Sequence, residues 1–184
     1  MPDRLADGLN GMAGSDLAAK LRSLAEPAPA PGDTMIEMGV VGVGVSRMNQ
    51  GPVVVLQEKE AGRYLPVWIG PAEANAIRVV LQRIDMPRPL THDLLGSVID
   101  ALEGRVNSIV IHDLKDDIFY ARIALSAHGR QINLDSRPSD AIAIALRVGA
   151  PIYAEEAVLD RAGVPPDQRP VEPLRLTTLG GLRP

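Results

Sequence analysis

Arginine, proline, a short hydroxyl side chain and a carboxylate occur together twice in this chain. One run is Pro87-Arg88-Pro89-Leu90-Thr91-His92-Asp93-Leu94 and the other is Asp135-Ser136-Arg137-Pro138-Ser139-Asp140. Each stands where an amphipathic helix is about to begin. A helix start leaves its first backbone N–H groups without intrahelical partners and carries the positive end of the macrodipole, so it collects anions. Arginine adds a planar fork of donors suited to phosphate or carboxylate. The carboxylates add acceptors for a hard cation, and Mg²⁺ or Mn²⁺ held by two or three of them would present a metal-bound water to phosphorus.

Each carboxylate also has a purely local explanation. Asp93, Glu73 and Asp140 all fall in or near a first helical turn, where the macrodipole favours negative charge whatever the function. An Arg137-Asp140 or Arg88-Asp93 salt bridge competes with ligand binding for the same groups. Spacing alone leaves both readings open.

Other chemistries fit less well. The glycines at 39, 42 and 44 reverse the dinucleotide fingerprint and lie inside an expected strand, whereas that fingerprint opens a helix. No glycine precedes a lysine, which removes a phosphate-binding Walker loop. His92-Asp93 and His112-Asp113 resemble metal-binding His-Asp pairs, but only His128 is left to complete such a set, and Asp113 reads as an ordinary hairpin-turn residue. Ser136 and Ser139 have no nucleophile elbow around them, and helix capping accounts for both.

The elements that must position these groups can be read from periodicity. Met35 to Ser46, Pro52 to Lys59 and Arg63 to Ile69 form a three-strand meander, with the glycines of the first marking a bend, bulge or close approach. Gly70-Pro71 opens a helix with Ile77, Val80, Leu81 and Ile84 at helical spacing. Thr91 caps a second helix to about Glu103, whose stripe is Leu94, Leu95, Val98 and Leu102. Arg105 to His112 and Ile118 to Leu125 form a hairpin around Asp113 to Asp117, and His128-Gly129 turns into a strand at Gln131 to Asp135. Ser136 caps a third helix ending at Gly149, with Ala141, Ile142, Ala145, Leu146 and Val148 buried. Two strand blocks separated by a helix pair define an α+β fold: a compact single domain with a mostly antiparallel or mixed sheet and three main helices.

Composition sets the boundaries. A chain of 184 residues with 46% apolar content supports one domain. Residues 1–34 are rich in Pro, Ala and Gly and read as a flexible segment with a short helix near Asp16 to Ala25. The folded unit is expected at 35–162, and 163–184 reads as a Pro-rich flexible tail. There is no cysteine, hence no thiolate chemistry. The absence of an apolar leader or bilayer-length stretch leads to the expectation of a cytoplasmic protein without membrane contact. A net charge of −4 and an aromatic content of 3% exclude a protein that coats nucleic acid by bulk electrostatics or by an extended stacking platform.

Four blocks in order closely resemble the bifunctional nuclease domain family. They are Pro66-Val67-Trp68-Ile69-Gly70 with Glu73, then Arg88 to Leu94, then His112-Asp113-Leu114-Lys115-Asp116 with Phe119-Tyr120-Ala121, and Asp135 to Ile142. The resemblance covers about Met35 to Asp160. It implies a compact α+β fold, cleavage of DNA and RNA as transient substrates, and association into homo-oligomers. Taken with the helix starts, it points to Asp93, His92 and Asp140 as catalytic, with His92 moving a proton. Arg88 and Arg137 would hold the phosphate, and Glu73, Asp93, Asp135 and Asp140 the Mg²⁺ or Mn²⁺. The alternative is a non-catalytic module that binds a small anionic ligand or a protein partner at the same helix starts.

Overall fold

A computed structural model describes residues 34–46 and 51–168 and the backbone of 172–173. The segment before Thr34, with its expected helix at Asp16 to Ala25, and most of the tail lie outside the described residues. The elements are β1 (Met35–Val45), β2 (Pro52–Glu58), β3 (Tyr64–Trp68), α1 (Pro71–Leu81), α2 (Thr91–Ala101), β4 (Gly104–Lys115), β5 (Ile118–Ala127), β6 (Arg130–Ser136), α3 (Pro138–Val148), β7 (Ile152–Glu155), α4 (Glu156–Ala162) and β8 (Glu172–Pro173).

One mixed sheet runs β3-β2-β1-β7-β4-β5-β6, and β8 pairs with β1 at Gly44 and Val45. All neighbours are antiparallel except β4 and β7. The fold is thus α+β, with the three expected helices and the short α4. Strand β7, four residues after Pro151, joins the two strand blocks by pairing with β1 on one side and β4 on the other. Neither β7 nor α4 stands out from the sequence, because so short a strand is defined by its distant partners and not by its own pattern.

The valine run of β2 is buried at Val53, Val54, Val55 and Leu56 without alternation, as a strand covered on both faces must be. In β1 the register slips between Val40 and Gly42, so the glycine-rich stretch is a bulge. The β4–β5 turn is tighter than expected. Asp116 and Asp117 both take positive φ, as a two-residue type I′ turn requires, so His112-Asp113 belongs to the strand, where a second bulge falls between Ile111 and Asp113.

Helix α3 is the centre of the core. Ala141 through Ala145 are all buried, and the helix packs on β4 and β5 and against both α1 and α2. A helix apolar around most of its circumference has no other stable place. Truncating Ile142 or Ile144 to alanine would cost about 2–5 kcal/mol. Gly149 ends it in the left-handed conformation.

Helix α2 departs most from expectation. Its stripe of Leu94, Leu95, Val98 and Leu102 is exposed, and the side facing the protein carries His92, buried Gly96 and part-buried Ile99. A Cβ on Gly96 would sit 3.5 Å from Val148, an ordinary van der Waals contact, so α2 packs directly against the end of α3 at this point. In α1 the expected stripe is also reduced. Ile77 is fully buried, whereas Leu81 is exposed and Ile84 lies beyond the helix end.

Ion pairs tie the short C-terminal elements to the sheet. Arg63 holds Glu58 and Glu156, each at 2.8 Å, and Asp160 at 3.3 Å, joining the β2–β3 hairpin to α4. Arg122 on β5 reaches Glu155 on β7 at 3.1 Å. Val164 exchanges both backbone hydrogen bonds with Tyr64. Among the described residues no helix is long and apolar enough to cross a membrane.

Candidate active site

Three helix starts, not two, meet at one cleft. Pro71 and Pro138 occupy first-turn positions in α1 and α3, where the missing N–H costs nothing and the fixed φ suits the helix. The N-caps are Gly70, Leu90 and Arg137, and none caps through a side-chain hydrogen bond. Thr91 and Ser136 therefore do not cap as expected. Thr91 is already the first residue of α2, and the Ser136 hydroxyl donates to the Arg137 carbonyl. The capping of α2 is done from within, because Asp93 accepts the Leu90 N–H at 2.7 Å.

Arg137 joins the other two starts. Its Nη1 lies 2.8 Å from Glu73 Oε1 in the first turn of α1, and its Nε donates at 2.8 Å to Asp140 Oδ2 in the first turn of α3. The other Asp140 oxygen lies 3.1 Å from His92 Nε2 on α2. The result is a chain Glu73–Arg137–Asp140–His92, crossing from α1 to α3 to α2. The Arg137 side chain is 66% exposed and that of His92 only 14%, so the guanidinium is open to a ligand while the imidazole is held. The Asp140 bond, then the Glu73 bond, raise the Arg137 pKa further and keep it cationic.

These four residues line an open cleft of about 550 Å³ together with Asn75, Pro89 and Leu90. Glu73 is folded back over its own N-cap: a Cβ on Gly70 would stand 2.3 Å from Glu73 Oε2, so glycine makes the space in which that carboxylate turns towards Arg137.

The remaining expected residues lie elsewhere. Asp93 turns away from the cleft to Arg147, whose Nη1 and Nη2 also donate to the carbonyls of Ala143 and Ala76. Burial works to raise the Asp93 pKa, but the Leu90 N–H and Arg147 outweigh it and leave the carboxyl below its ordinary range. Arg88 is exposed in the connection between α1 and α2, and Asp135 is exposed on β6 opposite Arg122. Neither lines the cleft. The expected metal set of Glu73, Asp93, Asp135 and Asp140 is consequently not assembled. Two of its members are bonded to Arg137 and the other two point elsewhere, and among the described residues no three His, Asp or Glu side chains come together to hold a cation. Of the two local salt bridges weighed from sequence, Arg137-Asp140 forms, while Asp93 takes Arg147 in place of Arg88.

Spacing alone does not single out Arg147. Its signal is an arginine in the last turn of a helix that from Ala141 to Leu146 consists of Ala, Ile and Leu alone, so that its guanidinium needs a partner. Its side chain is 7% exposed, which commits Asp93 to it.

Fold and cleft together define a small α+β domain with a polar site built on converging helix N-termini. Residues 54–167 match the model of the bifunctional nuclease domain, and the chain belongs to that family. An uncharacterized protein of Mycobacterium tuberculosis is 48% identical over 130 residues, covering 71% of this chain and 77% of that protein. Bifunctional nuclease 1 of Oryza sativa subsp. indica is 26% identical over 115 residues, 61% of this chain and 35% of its own length. Bifunctional nuclease 2 of Oryza sativa subsp. japonica is 25% identical over 135 residues, 71% of this chain and 40% of its own length.

Proposed function

We propose that this protein is a nuclease that hydrolyses phosphodiester bonds of DNA, RNA or both in the cleft of Glu73, His92, Arg137 and Asp140. The observation that carries the reading is the 3.1 Å contact between His92 Nε2 and Asp140 Oδ1, set beside a guanidinium that faces solvent. A carboxylate on one imidazole nitrogen fixes the ring and leaves the other nitrogen to act. Here Asp140 holds Nε2, so Nδ1 takes the proton of the attacking water as the new P–O bond forms. The departing oxygen takes a proton from solvent as its bond to phosphorus breaks, and the proton on Nδ1 returns to solvent afterwards. Arg137 spends Nε and Nη1 on Asp140 and Glu73, and its Nη2 edge meets a non-bridging phosphate oxygen. Family membership supports the choice of phosphodiester chemistry.

The cleft carries two carboxylates for one guanidinium, which weakens the alternative of a module for small free anions. A cation that accompanies the substrate phosphate would offset that charge. The test is cleavage of single-stranded RNA and plasmid DNA with Mg²⁺, Mn²⁺ or EDTA, for the wild type and Asp140→Asn. The reading expects cleavage by the wild type and a loss of about 100-fold or more in Asp140→Asn at unchanged melting temperature. No cleavage under any condition, or undiminished cleavage in the folded variant, contradicts it.

We extend the proposal to self-association, with a second copy of this chain covering the outward leucine face of α2. The face is continuous with the helix that carries His92, and Val148 stands exposed beside Gly96 at its border.

A further inference from the structure

Arg137 walls a second depression besides the one that holds His92. That neighbour, about 380 Å³, is lined by Trp68, Gly70, Ile118 and Phe119 with Asp117. Trp68, Asp117 and Phe119 also line a third, of about 510 Å³, that ends at Arg161. The shared residues make one groove, with a guanidinium at each end and an aromatic ring between them. Trp68 is the sole tryptophan of the chain. It closes β3 after three buried residues, yet it is itself 49% exposed. Arg161 is exposed, and its ion pair to Asp113 is long, at 3.6 Å.

This pattern has a physical logic for one kind of occupant. A half-exposed indole offers a stacking face that accepts any base, and guanidinium groups on either side suit the phosphates that flank it. Asp117 between them repels phosphate and accepts N–H groups, as acidic side chains do from the amino group of cytosine. Base, and not backbone, therefore belongs at the middle of the groove. A base inside a duplex is paired and stacked and must be unstacked to reach the ring. One ring serves one base, which agrees with the low aromatic content. We propose that Trp68 and Asp117 form a base subsite for an unstacked nucleotide of a single-stranded substrate. The inference rests on the nuclease reading in one respect, that the strand's reacting phosphate is the one at Arg137.

Because no other tryptophan is present, the fluorescence of Trp68 reports on the subsite directly. The full chain carrying His92→Gln, which keeps the substrate whole, is titrated with a short single-stranded oligonucleotide and with an abasic strand of the same length. The base-bearing strand should quench the emission and the abasic strand should not. In the cleaving protein, Trp68→Ala should raise KM for single-stranded RNA about tenfold with kcat little changed, and Trp68→Phe should recover most of it. Both variants are checked by melting temperature. Cleavage of the oligonucleotide by the wild type without quenching, or with equal quenching by the abasic strand, overturns the subsite and leaves the nuclease reading intact. Quenching by bases without cleavage upholds the subsite and removes the nuclease reading. Absence of both overturns both.

Discussion

Nε2 of His92 lies 3.1 Å from Oδ1 of Asp140, a contact between residues separated by 48 positions that locks the first turn of α2 to the first turn of α3. Its neighbour in sequence makes the opposite commitment. Asp93 is held by Arg147, on the last turn of α3, so consecutive residues of α2 grip the two ends of the same core helix. One grip lines the cleft and the other does not.

Asp93→Asn should therefore act on stability and not on chemistry. Breaking a buried ion pair costs about 3–5 kcal/mol because the remaining charge is stranded. The Asp93 side chain is about a third exposed, so water shares the load and about 1–3 kcal/mol is expected. Thermal melting should fall by several degrees, while cleavage per folded molecule stays within a few-fold of wild type.

Acid should release the Arg63 network. The Arg63 bond is the main reason the Glu58 carboxyl lies below its ordinary range. A depressed carboxyl contributes stability above its unfolded pKa of about 4.3 and loses it as pH falls through the folded value. Melting temperature should hold above about pH 5 and drop below about pH 4, and Glu58→Gln should flatten that drop.

Gly70→Ala separates site from scaffold in a different way. The new methyl meets only the far end of Glu73, which can swing away, so stability should change by less than about 1 kcal/mol. Glu73 would then leave Arg137. Cleavage should fall at least several-fold with the melting curve nearly unchanged, measured on the same preparation.

Leu94→Asp with Leu102→Asp tests the outward face of α2. Light scattering should report a multiple of the monomer mass for the wild type and the monomer for the double variant. Far-UV circular dichroism should be the same for both.

Sequence pattern located most elements because strands and amphipathic helices write their own period. It finds the apolar stripe of α2 but not which side of the helix packs, since a period shows that a helix has an apolar side and not what covers that side. The small and polar side of α2, His92, Asp93 and Gly96, faces the protein because the contacts of His92 with Asp140 and of Asp93 with Arg147 hold it there. The same limit applies to the site. Arg137, Asp140, Glu73 and His92 are legible as groups at helix starts. That Asp93 belongs to Arg147, and that Asp135 stands on a strand away from the cleft, depends on tertiary placement that no local spacing encodes.

The most direct measurement compares His92→Gln with Asp135→Asn on single-stranded RNA and plasmid DNA, each variant confirmed folded by its melting temperature. His92→Gln should lose about 100-fold or more of the cleavage rate, and Asp135→Asn should keep it. Undiminished cleavage by His92→Gln, or loss in Asp135→Asn alone, would place the chemistry outside the cleft of Glu73, His92, Arg137 and Asp140.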